Sequence, residues 1–166
     1  MERTMRRKDR QLTEQEAWAV LRQEKHGVLS VVGDEGWPYA VPMNYIVWDG
    51  NLYLHCAKAG YKLDAVRRDG RVCFTVVSRG EVIPAHITTL YESVIVKGTA
   101  DEVTEEEQCR IILTRLVEGL GDVTEEIKTQ YVEKKVKNTA LLRIRPVQVT
   151  GKANRSYIPV TQRLKD

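Results

Sequence analysis

Residues 39–66, YAVPMNYIVWDGNLYLHCAKAGYKLDAV, decide the fold of this 166-residue chain. A long extended stretch precedes Asp49-Gly50, a dipeptide typical of a two-residue β-hairpin turn, and residues after it alternate as in a strand. We predict strands at 37–48 and 51–56, and the tight turn between them makes the pair antiparallel. Pro38 and Pro42 have no amide hydrogen to donate to a neighbouring strand. The first strand is therefore expected at an edge, a bulge or a strand start.

The remaining strands and helices are predicted from hydrophobic periodicity and from capping residues. Strands are expected at 28–32, 71–78, 91–103 and 140–150, with a bulge at Gly98 and an interruption at Pro146. Helices are expected at 13–25, 60–68, 104–118 and 124–137.

Several shorter features accompany these elements. Thr13–Glu16 and Thr104–Glu107 have the spacing of capping boxes. Gly70 is placed to cap the helix at 60–68, and residues 80–84 are expected to be a polar link. The six strands do not alternate regularly with crossover helices. We therefore predict a mainly β, single-domain fold, a closed or partly closed antiparallel barrel with peripheral helices.

Composition and charge narrow the function classes. The net charge is only +3, and a single Phe leaves little aromatic surface for stacking bases, so no nucleic-acid partner is predicted. No apolar run approaches about 18 residues, so no membrane span is predicted. The odd count of three cysteines and the lack of a CxxC pair favour a reducing, cytoplasmic setting. A basic arm at 1–12 and a polar tail at 155–166 flank the domain.

Motifs of familiar catalytic and binding sites are missing from the sequence. It contains no GxGxxG after a strand, no P-loop, no HExxH and no GxSxG. Its three histidines lie far apart, and no metal site is predicted. His55 and Cys56 are neighbours on a strand, so their side chains point to opposite faces and cannot form a nucleophilic dyad.

The end of the second hairpin strand has a pattern typical of an anion site. Ala57, Ala59 and Gly60 are small and permit close approach to the backbone. Gly60 begins a helix, whose free amides carry partial positive charge. Lys62 in its first turn is unfavourable there unless an anion is present, and Lys58 lies nearby. The alternative is that both lysines are solvated surface charges and that the histidine before them is an ordinary strand residue.

The backbone beside Pro42 suggests a second part of the same site. Pro42 leaves a gap in strand pairing beside Met43 and Asn44, so neighbouring amides and carbonyls can be free. Such groups suit the polar edge of a planar ring, with apolar side chains on its face.

An ordered set of motifs resembles a known family. These motifs are MRRKDRxLT (5–13), GxPYxVPxxY (36–45), DGxLYxHxAxxGxK (49–62), SVIVxGxA (93–100) and TGK (150–152). Together they are similar to the nitroimidazole-resistance (Nim-like) family of pyridoxamine 5′-phosphate oxidase-like flavoproteins. The resemblance implies a six-stranded split barrel that binds FMN at the interface of a homodimer, with FAD or haem as alternative cofactors.

The resemblance also implies which residues line the site. The strand that lines the flavin ring corresponds to Pro42, Met43, Asn44 and Tyr45. The residues that approach the flavin and its phosphate are His55, Cys56, Ala57, Gly60, Tyr61 and Lys62, with Lys58 as a further candidate. His55 lies near the reactive region and is the candidate catalytic proton donor. The family often has a second histidine at Tyr61, whose hydroxyl could bond a phosphate instead. Partner-subunit contacts are expected from Ile87–Val96, including Thr89 and Ser93, and from the basic arm.

The function implied is that of a flavin-dependent oxidoreductase. It would take electrons from NAD(P)H or another reductant and pass them to a small planar acceptor, such as a nitroimidazole. The alternative is a carrier or sequestering protein that binds flavin or haem without turnover.

Overall fold

Six strands form one antiparallel barrel in the computed structural model, which describes residues 4–155. The strands are β1 (His26–Val32), β2 (Pro38–Trp48), β3 (Asn51–Ala57), β4 (Arg71–Ile83), β5 (Thr88–Val103) and β6 (Thr139–Asn154). Their order around the closed barrel is β1-β2-β3-β6-β5-β4, and every neighbouring pair is antiparallel. The predicted mainly β barrel with peripheral helices is confirmed.

Within residues 4–155, four α-helices surround the barrel. They are α1 (Glu14–Gln23), α2 (Tyr61–Arg68), α3 (Glu106–Glu118) and α4 (Glu125–Val136). The capping box of α1 is confirmed, because the Thr13 side chain accepts from the Glu16 amide and Glu16 accepts from the Thr13 amide. Among the helices of residues 4–155, none is long and apolar enough to cross a membrane.

The predicted capping box of α3 at Thr104–Glu107 is wrong. Glu105 is the N-cap, and its carboxylate accepts from the amides of Glu107 and Gln108. A carboxylate one residue later can satisfy two amides of the first turn. It also adds the negative charge that a helix start favours.

The hydrophobic core has two layers separated by the sheet. Inward side chains of β3, such as Leu52 and Leu54, fill the barrel interior with residues of α1 and α2. Tyr53 points outward and packs with Leu141 against α3 and α4. Successive residues of β3 therefore serve different layers, which determines what surrounds each candidate site residue.

Local signals in the hairpin and the long strands are confirmed. Asp49 and Gly50 have positive φ values of 48° and 70°, as a primed hairpin turn requires. The β5–β6 register shifts between Lys97 and Gly98, and Pro146 lies opposite this bulge. A side chain at Gly98 would collide with the Arg145 carbonyl, which explains the glycine.

Two other sequence expectations are wrong. Residues 80–84 are not a link, because β4 and β5 continue to pair as far as Ile83 and Thr88. Backbone hydrogen bonds hold the ends of β4 and β5 together whatever their side chains are. A pattern of side chains in the sequence does not reveal such backbone bonds. Gly70 does not cap α2. The Asp69 amide bonds the Ala65 carbonyl, and Gly70 instead accepts from the Ala100 amide at 2.7 Å.

The basic arm packs along β6 over the part that the structure describes. The Leu12 amide donates to the Gly151 carbonyl at 3.0 Å, and Gln11 forms a bridge to Lys152. Arg10 donates to the Tyr91 hydroxyl at 3.4 Å. The predicted tail lies outside the described residues beyond position 155.

Candidate functional site

A seam opens between β2 and β3. These strands pair only over Tyr45–Trp48 and Asn51–Leu54. Earlier residues of β2, Pro38–Asn44, pair with β1 on their other edge, and His55–Ala57 pair with β6. The facing edges of these two segments therefore pair with no strand of residues 4–155. The predicted gap in strand pairing beside Pro42 is present, and it leaves backbone groups available to a ligand.

The seam runs out at the start of α2. Gly60 is its N-cap with φ 134° and ψ 157°, and no described side chain caps this end. The first hydrogen bonds of the turn run from Leu63 and Asp64 to the Gly60 carbonyl, so the amides of Tyr61 and Lys62 precede them. This is the geometry by which helix starts bind anions.

Open space and positive charge surround these amides. A side-chain carbon at Gly60 would meet no atom within 4 Å. Ala57, Lys58 and Ala59 are all exposed. Neither Lys58 nor Lys62 forms an ion pair with any described residue. Two uncommitted cations therefore lie on either side of an uncapped helix start.

Tyr61 ties the start of α2 to the turn between β1 and β2. Its hydroxyl oxygen accepts from the Asp34 amide at 2.7 Å, and its ring packs edge-on against Tyr39 with centroids 4.8 Å apart. Arg68 adds a bond to the Asp34 carboxylate at 2.6 Å. Because Tyr61 acts as acceptor here, its own hydroxyl proton stays available to a phosphate oxygen.

The four candidate residues of β2 divide between two faces. Pro42 and Asn44 are exposed, whereas Met43 and Tyr45 lie in the barrel core. The Tyr45 hydroxyl donates to the Leu21 carbonyl at 2.7 Å. Met43 can therefore reach a ligand in the seam through its backbone, whereas Pro42 and Asn44 also offer side chains.

His55 opens into a small cavity between the outer face of the sheet and helices α3 and α4. Asn44, Ile46 and Tyr131 also line this cavity. The Nδ1 atom of His55 is buried and has no hydrogen-bond partner. Burial lowers the pKa of His55, and the charge of Lys135 lowers it further. The imidazole is therefore neutral at pH 7, with one nitrogen left for a ligand or water.

Cys56 lies on the opposite face of β3, inside the barrel. Burial raises the pKa of its thiol, which outweighs the opposing charge of Lys62. The residue is a buried core thiol, and it lies on the face of β3 opposite His55, as strand alternation predicts.

Thr89 and Ser93 are not brought to the seam. Both lie on β5, which is three strands away from β2 in either direction around the barrel. The Thr89 carbonyl accepts from the Asn154 side chain at 2.6 Å, and Ser93 pairs with Val77 and Lys152. Their assignment to contacts from a partner subunit stays a prediction.

Sequence reasoning missed the residues that face His55 from the helices. Tyr131 lines the cavity, and Lys135 lies one turn later with its ammonium 5.5 Å from the Tyr131 ring centroid. Their i, i+4 spacing was the available signal, but nothing in the sequence indicated that α4 packs beside β3.

Comparison with known proteins identifies the family. The family model described as pyridoxamine 5′-phosphate oxidase matches residues 13–153. Among curated proteins, none matches the sequence. Among solved structures, the fold is similar to that of a candidate 5-nitroimidazole antibiotic resistance protein from Bacteroides thetaiotaomicron. Its TM-score is 0.75 at 24% identity, over 86% of each chain.

Two further structures share the fold. A FAD-binding protein from Mesorhizobium loti has a TM-score of 0.62 at 22% identity, over 87% of this chain and 97% of its own. A FAD and haem binding protein from Mycobacterium smegmatis has a TM-score of 0.73 at 17% identity, over 89% of this chain and 75% of its own. With the family model matched over residues 13–153, the chain belongs to the pyridoxamine 5′-phosphate oxidase-like family and has its split-barrel fold.

Proposed function

We propose that this protein is a flavin-dependent oxidoreductase that uses FMN to reduce a small planar acceptor. The observation that carries the proposal is the unpaired seam between β2 and β3, which leads to the uncapped, lysine-flanked start of α2. A planar ring with polar edges and a terminal phosphate needs both features in this order. The relatives described as FAD-binding support a flavin and keep FAD as an alternative.

The phosphate would be held at the start of α2. The amides of Tyr61 and Lys62 would donate to it, and the side chains of Lys58 and Lys62 would neutralise its charge. The open space around Gly60 allows an oxygen to approach the backbone closely. Free backbone groups of Pro42–Asn44 would bond the edge of the ring.

The flavin, when bound, would supply the electron or hydride transfer, with NADH or NADPH as the proposed reductant in the cytoplasm. The task left to this chain is to place the acceptor and to move a proton. The neutral His55 lines the cavity, and its buried Nδ1 has no hydrogen-bond partner. It would bond the acceptor and relay a proton to it, taking up a proton at one ring nitrogen as it releases one from the other. A nitroimidazole is the acceptor suggested by the relative from Bacteroides.

A homodimer would complete the site. Val28, Thr75, Ile95 and Thr150 lie in register across β1, β4, β5 and β6, and all are uncharged. Ile95 is 41% exposed. A second copy on this face would bury the row and bring Thr89 and Ser93 towards the flavin. We expect Ile95→Glu to shift the protein to monomer in analytical ultracentrifugation and Ile127→Glu on α4 to leave it dimeric. An equally dimeric Ile95 variant would contradict this interface.

Anaerobic stopped-flow absorbance tests the oxidoreductase. Purified protein is expected to contain FMN by mass, to be bleached by NADH or NADPH, and to regain its colour when a nitroimidazole is added. A carrier that binds flavin or haem is the alternative, supported by the relative described as binding FAD and haem. It predicts a bound chromophore that no acceptor reoxidises during the experiment, and that result would replace the enzyme proposal.

A further inference from the structure

A basic cleft adjoins the His55 cavity between β2 and α3. The cleft has a volume of about 280 Å³. Arg22, Lys25 and Arg115 line it, and it shares Tyr45 and Ile46 with the His55 cavity. The two recesses adjoin, and Lys25 also lines both. The cleft is cationic and large enough for a single aromatic ring, whereas the His55 cavity is mainly apolar and, at about 40 Å³, admits only a substituent of that ring.

Two of the cations are held in place without being neutralised. The Arg22 guanidinium lies 5.7 Å from the Trp18 ring centroid, and that of Arg115 lies 4.8 Å from the Trp48 centroid. Stacking uses the face of a guanidinium and leaves its N–H groups free at the edge. Among residues 4–155, neither these arginines nor Lys25 forms an ion pair.

The carboxylates that also line the mouth are already engaged. Glu24 accepts from the Ser78 hydroxyl at 2.8 Å, and Glu118 bonds the Lys128 ammonium at 3.0 Å. Lys128 is shared between Glu118 and Glu125, which lies 2.6 Å from the ammonium. Three cations face two carboxylates around the cleft, so the mouth keeps an excess of positive charge. Neither acid satisfies the three cations around the opening.

The mouth is fixed to the barrel at one point. The Tyr45 amide donates to the Lys25 carbonyl at 3.1 Å, and the Tyr45 hydroxyl donates to the Leu21 carbonyl. One bond joins α1 to β2, and the other joins β2 to a residue between α1 and β1. The cations of the α1 end are therefore anchored beside the strand that also lines the seam.

The His55 cavity has the opposite character. Leu113, Leu116 and Val117 of α3 form its wall. His55 also lines it, and the buried Nδ1 of this residue has no hydrogen-bond partner. A neutral imidazole in an apolar cavity suits an uncharged polar group and not a second anion.

We propose that this recess binds planar acceptors that carry one anionic group, a carboxylate or a phosphate. The anion is held by Arg22, Lys25 and Arg115, and the planar part extends towards His55. This inference names the acceptor class of the proposed oxidoreductase and therefore rests on that proposal. It assigns a second anion site, separate from the start of α2.

Binding of three matched nitroaromatics to the oxidised protein tests the proposal without turnover. The probes are 4-nitrobenzoate, 4-nitrophenyl phosphate and the neutral 4-nitrobenzamide, measured by calorimetry and by the NMR shift of the His55 ring. We expect at least one anionic probe to bind about tenfold more tightly than the amide at low salt, with a preference that weakens as salt rises. The stronger of the two anions identifies carboxylate or phosphate.

Variants locate the effect. Arg22→Gln with Arg115→Gln should abolish the preference and leave flavin content unchanged, whereas Lys134→Gln on the exposed face of α4 should preserve it. If the double variant folds poorly, Lys25→Gln by itself should reduce the preference for the anionic probes. Equal binding of all three probes by flavin-loaded wild-type protein overturns the anion site and leaves the oxidoreductase proposal intact. Protein that takes up no flavin overturns that proposal instead, whatever the probes show.

Discussion

The C-terminal end of β3 and the outer face of this strand at His55 present contrasting environments within a few residues. The end, from Ala57 to Lys62, is exposed as far as Tyr61 and half-buried at Lys62, and it combines two lysines with free backbone amides. The outward cavity at His55 is apolar and holds a neutral imidazole without a partner. One short segment therefore offers a place for a charged group and, beside it, a place that excludes charge.

This difference suggests a division of labour. Charged, solvated groups retain an anion through many weak contacts, whereas a single buried titratable group can exchange a proton in a defined direction. Substitutions at the strand end should change cofactor retention, and substitutions in the cavity should change turnover. Each prediction below tests whether these two effects separate.

Replacing the imidazole should give the largest effect. We expect His55→Gln to lower kcat for acceptor reduction by about 100-fold or more, because it removes a group that relays protons. Flavin content should stay within about twofold of wild type. Steady-state kinetics and flavin quantification on the same preparation measure both, with His26→Gln, an exposed histidine, as the control. If flavin content falls in parallel with kcat, the strand end and the His55 cavity do not have separate functions.

Gly60→Ala should reduce flavin affinity by about 30-fold. Its φ of 134° is strained for any side chain by about 1–3 kcal/mol, and relaxation would move the amides that follow. Gly121→Ala is a matched control, with φ 131° and equally open space at the end of α3. Both variants should lose similar stability in urea unfolding, and only the first should lose flavin in fluorescence titrations. Equal flavin affinity in both would exclude this helix start.

The hairpin and helix starts could be predicted because their signals are local. Asp49-Gly50, Thr13 with Glu16, and Gly60 each act within a few residues of their own position. Pro42 pointed to a gap in strand pairing, but the unpaired edge extends over residues 38–44 of β2, further than one missing amide hydrogen explains. Capping of α3 was mistaken because two adjacent residues, Thr104 and Glu105, both suit an N-cap.

The cleft could not be predicted because tertiary packing assembles it. Arg22 comes from the end of α1 and Arg115 from α3, 93 positions later. Their tryptophan partners, Trp18 and Trp48, also come from different elements, α1 and β2. The sequence also gave no sign that α4 covers His55, because α4 has weak apolar periodicity.

Lys62→Ala should weaken FMN binding by about tenfold through loss of one charge-assisted contact. The effect should shrink as ionic strength rises, because the site is open to solvent. Lys134→Ala, which removes an exposed lysine from α4, should leave the affinity unchanged. If the Lys62 variant binds FMN with wild-type affinity at low salt, Lys62 does not contact the phosphate and is an ordinary surface charge.

The pH dependence of folding should show the smallest effect. Burial lowers the pKa of His55 in the folded protein, so the unfolded chain binds more protons below its own pKa of about 6.5. The free energy of unfolding should therefore fall as pH drops through 6.5 towards the lowered folded pKa, and then level off. Urea unfolding measured at several pH values across this range gives the free energy of unfolding as a function of pH. This free energy should change less steeply with pH for His55→Gln than for wild type. An identical slope would mean that the imidazole titrates as it does in water.

The most direct test of the central claim compares FMN with riboflavin, which lacks only the phosphate. The amide resonances of Tyr61 and Lys62 in ¹H–¹⁵N NMR spectra report on the start of α2. We predict that FMN shifts both resonances strongly and that riboflavin binds far more weakly and leaves them nearly unchanged. Equal affinity for the two flavins, with both amides unmoved by FMN, would contradict the assignment of the phosphate to this helix start.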